Sequence, residues 1–223
     1  RRPPPRGFPT LDAYQLSQYL ETATGGAAVF VETSYRFVRP GIGPTYSGFA
    51  DLATGTKALL YDCELMQLTL QFKTFVPTGR ADRGLGTGHV SLEPSLLLAI
   101  RLAESTSFQG QLAQWIPLGG DPEYAGAVLH YHFSVNHVLA AVKPDSPLIA
   151  TLEFNGWTFQ DGAYTGPVTG SAVSASGQTY ASIGSGLRMV ICDKIDFGFA
   201  AAYPTTTFQW GDPQYYVEFR YRF

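Results

Sequence analysis

The sequence predicts an all-β protein, a transmembrane antiparallel up-and-down β-barrel of about ten strands. Three observations predict it. Charged residues make up only 15% of the 223 residues, against 45% hydrophobic and 14% aromatic. A water-soluble domain usually carries about 25% charged residues, so much of this surface does not face water. A spanning helix would need about 20 consecutive apolar residues, yet runs such as Leu96 to Ile100 stop early, here at Arg101. The apolar residues instead recur at every second position, as they do when one face of a strand meets lipid and the other a lumen.

The strands can be read in order. From Val90 to Leu102, the residues Val90, Leu92, Leu96, Leu98, Ile100 and Leu102 share one face, and Ser91, Glu93, Ser95 and Arg101 the other. A helix would mix these sets, whereas a strand separates them. The same alternation runs through Met66–Phe72, Leu129–Val135, Leu148–Phe154 and Tyr215–Phe223. Weaker strands are expected near Val29–Phe37, Phe49–Leu60, Phe108–Ile116, Ala181–Ile191 and Ile195–Tyr203. That makes ten, an even number, as in single-chain bacterial barrels.

The links between strands alternate in length. Those near Tyr61–Glu64, Ala103–Thr106 and Cys192–Lys194 are short, and those at Pro77–Gly88 and Phe159–Thr179 are long. Short periplasmic turns and longer extracellular loops produce this pattern, which puts both chain ends in the periplasm of a bacterial outer membrane. Residues 1–26 stand apart from the barrel, residues 27–223. They begin with a Pro-rich stretch, and Leu11–Leu20 reads as a short helix capped by Thr10, an additional strand or a plug. A periplasmic segment or plug is the expectation. The opening Arg1-Arg2-Pro3-Pro4-Pro5 is no secretory leader, so a processed chain is expected.

A soluble sandwich also alternates inside and outside. Against it stand apolar faces on nearly every strand and polar, mixed-charge opposite faces. Aromatics also gather at strand ends, including Tyr35, Phe37, Phe75, Trp115, Trp210 and Tyr221, as in interfacial girdles.

Parity places Glu32, Asp51, Glu93, Glu153, Asp196 and Glu218 in the lumen with Arg36, Lys57, Lys73, Arg101, Arg188, Arg220 and Arg222. Lone charges in a low-dielectric interior are costly, so these should pair across strands. They either fill and rigidify the barrel or line a narrow wet path. His130, His132, Ser134 and Asn136 share the same lumenal face. Next-but-one residues on a strand lie about 6.6–7 Å apart, too far for an unaided Ser–His pair, so a polar patch rather than catalysis is expected. No enzyme, metal or cofactor is expected.

The glycines of Gly84-Leu85-Gly86-Thr87-Gly88 precede a strand rather than a helix, so a surface loop is expected there instead of a phosphate loop. Pro94 cannot donate a ladder hydrogen bond, so it predicts a bulge and, with it, a candidate lateral opening to lipid. Cys63 and Cys192 lie in turns too far apart to form a disulfide. The net charge of −3 offers nothing for nucleic acid.

The last strand, Tyr215 to Phe223, resembles the terminal strand of outer-membrane proteins, where a final Phe is read by the barrel-assembly machinery. A second resemblance is carried by Gly48-Phe49-Ala50-Asp51-Leu52, Lys57, Lys73, Pro77-Thr78-Gly79, Gly84 to Gly88 and Leu92-Glu93-Pro94. It continues through Pro117-Leu118-Gly119-Gly120 and Glu153 to Gly156-Trp157. Over residues 27–223 this is similar to the outer-membrane barrel family called meta-pathway of phenol degradation, often simply transporter. The resemblance implies an outer-membrane barrel admitting hydrophobic or aromatic compounds, and leaves twelve strands open. The expected function is therefore a passive channel or facilitator for small solutes. The alternatives are a closed structural or binding barrel with a filled lumen, or an embedded lipid-modifying enzyme. Membrane lipid, the assembly machinery, a small-molecule solute and other outer-membrane subunits are the expected partners.

Overall fold

The structure is a computed structural model that describes residues 11–40, 43–121, 123–143, 145–165, 171–206 and 213–223. Fourteen strands follow one another: β1 (Leu11–Thr24), β2 (Ala27–Pro40), β3 (Tyr46–Phe49), β4 (Leu52–Asp62), β5 (Met66–Val76), β6 (Val90–Ala103) and β7 (Thr106–Leu118), then β8 (Val128–Lys143), β9 (Ser146–Phe159), β10 (Ala163–Thr165), β11 (Ala172–Ser174), β12 (Thr179–Ile191), β13 (Ile195–Pro204) and β14 (Gln214–Tyr221). A 3-10 turn covers Ala81–Arg83, and no α-helix occurs among the described residues.

Eleven strands form one path, β1-β2-β4-β5-β6-β7-β8-β9-β12-β13-β14, each neighbour antiparallel. The short hairpin β10–β11 sits apart, inside the β9–β12 connection. Strands β3 and β4 pair with the two ends of β2 and are one strand broken at Ala50 and Asp51. The sheet is all-β, antiparallel and curled into a half-barrel.

Period-two alternation explains both faces. On the convex side Leu16, Val31, Leu70, Leu96, Leu112, Val135, Leu152, Leu187, Phe199 and Val217 all stand exposed. Residues of the opposite parity are mostly polar or small with a few aromatics, and they hold the buried set, with Phe30 at 4% and Ser91, Ser182 and Asp196 at 1% or less. The β1–β2 turn is a two-residue loop, Gly25-Gly26, with φ of 55° and 85°. Positive φ at both central residues gives the turn twist that suits paired strands, which glycine supplies at no steric cost.

The structure corrects several expectations. Leu11–Thr24, which the sequence leaves open to a helix, an additional strand or a plug, is a strand that pairs with β2 along its whole length. The stretch before it, Arg1–Pro9, lies outside the described residues, as does Trp210. With β1 included the path has eleven strands rather than ten, and it is not closed, for β1 and β14 have one neighbour each among the described residues. Eleven strands make ten antiparallel steps, so β1 and β14 point the same way, and a direct seam between them would be parallel.

The expected bulge at Pro94 is absent. Pairing with β5 runs unbroken through Phe72↔Pro94, and pairing with β7 lapses at Glu93 and Pro94 without any shift of register. The missing proline N–H removes a bond on one side only, because both ladder groups of a residue in an antiparallel sheet face the same neighbour. Shifts occur instead at Leu59/Tyr61, Arg101/Ala103, Val138/Ala140 and Ala141/Lys143, all toward the short turns.

Candidate functional site on the concave face

The concave face is built from the inward parity of every long strand, and its charges are mostly matched. Lys73 on β5 reaches over β4 to Glu32 on β2 at 2.7 Å. Gly55 makes that crossing close, since a Cβ there would strike the Phe30 ring and the Phe72 carbonyl. Lys57 pairs with Glu21 of β1 at 2.6 Å and also bonds the Tyr19 hydroxyl at 2.9 Å. Arg188 lies 3.6 Å from Glu218, and Arg220 bonds Glu218 at 2.6 Å. Asp196, 1% exposed, takes Arg222 at 2.5 Å and has Arg220 at 3.8 Å. Arg101 is held only loosely, 3.6 Å from Glu64, at the short-turn end.

Three charges depart from the cross-strand pairing expected of them, one being Glu153, whose carboxylate takes no ion pair or hydrogen bond among the described residues. Arg36 takes no carboxylate; its guanidinium donates to the Gln15 side chain at 2.8 and 3.1 Å and to the Gly84 carbonyl at 3.4 Å. Asp51 turns to backbone, accepting the Gly79 N–H at 3.0 Å and the Thr87 N–H at 2.7 Å. Its loop is therefore not a loose surface excursion. Leu85, at its centre, is 2% exposed and lies against Gly48, where an added Cβ would sit 3.0 Å from a Leu85 methyl. The motifs Gly48–Leu52, Pro77–Gly79 and Gly84–Gly88 thus converge on one packed corner.

Near the loop end an aromatic arc crosses the concave face. Phe75 and Trp115 have ring centroids 4.3 Å apart, Trp115 and His130 6.3 Å, His130 and Trp157 6.3 Å, and Trp157 and Tyr180 5.3 Å. Such spacings fall within the range of favourable ring contacts. Phe75 and Trp115, expected in an outer girdle, belong to this inner arc. The parity that placed Glu153 inside also places Trp157 there, so the arc was legible in the strand register. His130 Nδ1 faces Glu93 at 3.3 Å, and two residues before Glu93 the Ser91 hydroxyl is buried without a hydrogen-bond partner among the described residues.

The polar face of β8 is committed internally. His132 Nδ1 meets the Asn155 side-chain oxygen at 2.9 Å, not Ser134. Asn136 donates to Ser134 Oγ at 3.3 Å and accepts from Thr151 at 2.7 Å. Ser134 thus has hydrogen-bonding neighbours but no base in contact.

Two cavities open on this face, of about 670 Å³ and 510 Å³. Both are lined by His132, Glu153 and Asn155. The larger extends past Gln109 and Gln111 to Lys57, and the smaller past Trp157 to Tyr216. Their volumes suit one small molecule.

Among the described residues no cluster of His, Cys, Asp or Glu is arranged to hold a metal ion. Cys63 and Cys192 are both free and exposed. Glu21 and Tyr19 were missed in the sequence, because their segment was not read as part of the sheet.

No protein-family model matches this sequence, and no curated protein matches it.

Proposed function

We propose that this protein spans the bacterial outer membrane as a β-barrel and acts as a passive channel or facilitator for small hydrophobic or aromatic solutes. The observation that carries this is the apolar convex face. Large apolar side chains stand exposed on every long strand from β1 to β14, among them Leu16 at 75%, Leu152 at 58% and Phe219 at 68%. A soluble monomer rarely exposes a contiguous apolar patch beyond a few hundred Å². Strands of ten or more residues also suffice for a tilted span of the hydrocarbon core, which takes about 9–11.

Behind that belt the concave face offers polar cavities floored by ion pairs and rimmed by aromatic rings, which suits solutes with a ring or apolar body. Phe223, 90% exposed, is available for the barrel-assembly machinery. In this reading the short turns and Phe223 face the periplasm, whereas Leu11 begins β1 at the opposite, loop end of the sheet, and other outer-membrane subunits are candidate partners. No catalytic role is assigned, since Ser134 has no base in contact.

A second reading is favoured by the packed loop from Thr78 to Gly88, which covers the concave side of β2 and β3: the lumen would be closed by its own groups. Purified protein in planar bilayers and in solute-loaded liposomes separates the two. Discrete conductance or flux of small aromatics is expected. Stable insertion without conductance or flux would favour the closed barrel, and a monodisperse protein in detergent-free buffer would overturn both.

A further inference from the structure

We propose that the concave cavity binds small organic cations carrying an aromatic or apolar body, with the Glu153 carboxylate as counter-charge. This rests on reading the concave face as a solute path, and it narrows the class of solute.

The inference starts from which carboxylates are already satisfied. Glu21, Glu32, Glu218 and Asp196 each have a Lys or Arg partner on this face, Glu93 has the His130 imidazole at 3.3 Å, and Asp51 is held by backbone N–H groups. Glu153 differs. Among the described residues its carboxylate takes no ion pair and no hydrogen bond, although it lines both cavities. Its cross-strand neighbours are Ser134 on β8 and Gly184 on β12, too small to fill the space beside it. Gly186 and Gly198 line the same cavity.

A carboxylate in a partly dehydrated cavity is costly unless a cation joins it. The guanidinium that shares the smaller cavity, Arg188, is already turned to Glu218. The unmet charge is therefore available to a ligand. Trp157 and Tyr216 line that cavity, and their ring faces attract cations as well as aromatic bodies. An anion would meet the Glu153 carboxylate, whose charge no neighbour offsets, while Arg188 beside it is engaged by Glu218. A neutral ring would gain stacking without charge pairing. The expected order of affinity is cation, then neutral, then anion.

Three probes of matched size test this: benzyltrimethylammonium, benzyl alcohol and benzoate. Binding is read by Trp157 fluorescence in detergent, with Trp115→Phe and Trp210→Phe in the background. Saturable quenching by the cation is expected, at least tenfold weaker in Glu153→Gln and unchanged in Glu64→Gln, a control at an exposed turn. Equal affinities for the three probes, or a cation affinity untouched by Glu153→Gln in a variant whose circular dichroism matches the parent, would overturn the inference. Because the readout needs no membrane, binding without flux counts against the channel reading alone. Flux without cation preference counts against this inference alone.

Discussion

Asp51 and Thr87 are joined twice through one carboxylate oxygen, which accepts the Thr87 N–H and the Thr87 hydroxyl, each at 2.7 Å. The other oxygen takes the Gly79 N–H. Thr78 completes the corner, donating its hydroxyl to the Ala50 carbonyl at 3.1 Å and accepting the Leu52 N–H at 2.9 Å. The break between β3 and β4 is thus what frees Asp51 to gather the loop.

Asp51→Ala should release that loop and leave the sheet intact. Hydrogen bonds to a charged group contribute about 1.5–3 kcal/mol each in favourable settings, and here three converge. Trypsin cleavage after Arg80 and Arg83 should accelerate at least tenfold, with unchanged far-ultraviolet circular dichroism. Equal cleavage rates in variant and parent would mean that Leu85 packing alone holds the loop.

Asp196 should matter less when removed than when stranded. It is 1% exposed, while Arg220 and Arg222 are 47% exposed in their side chains. Deleting Asp196 leaves two cations that can turn to water. Deleting both arginines leaves a buried carboxylate, and breaking a buried pair in that sense costs about 3–5 kcal/mol. The double variant Arg220→Ala, Arg222→Ala should therefore be the less stable, and hydrogen exchange along β14 should rise most there, because that strand has a single neighbour among the described residues. A larger loss for Asp196→Ala would reverse the argument.

Cys63 should react as a thiolate at lower pH than a free cysteine. The backbone N–H of Leu65 and then that of Met66 stabilise the sulfur's negative charge and hold the thiol below its ordinary value, against the opposing charge of Asp62. The reacting species is the thiolate, so its alkylation rate rises as pH passes through the lowered value. In a Cys192→Ser background, the half-point of the iodoacetamide rate profile should lie below that of N-acetylcysteine. A half-point at or above it would show that these amides do not face the sulfur in solution.

Strand parity made the sheet legible in the sequence, since apolar and polar residues from Val90 to Leu102 can be sorted only by a strand. It equally fixed the inward set from Glu32 to Arg220. What it could not show were features that depend on a partner. Leu11–Leu20 lacks clean alternation, and its extended form comes from fourteen residues of register with β2. The corner at Asp51 brings together residues 36 positions apart, and glycines that signalled a loose loop serve there as close-packing sites. A Cβ on Gly86 would collide with the Asp51 carboxylate.

Leu187→Arg separates a lipid-facing exterior from one that meets water. Leu187 lies on the convex face of β12, two residues from the strand's midpoint and 52% exposed. Were the face wet, an exposed leucine could become arginine at a cost within about 0.5 kcal/mol. In a barrel wall near the bilayer midplane the same change costs about 2–4 kcal/mol, because the guanidinium must be dehydrated or drag water and headgroups inward. Denaturant unfolding from lipid vesicles should therefore show a loss in that range. Leu118→Arg, at the loop end of β7 and 50% exposed, should cost about 1 kcal/mol or less. The difference between the two positions is the informative quantity, since equal penalties would mean that depth along the strand has no energetic meaning and that hydrocarbon does not cover this face.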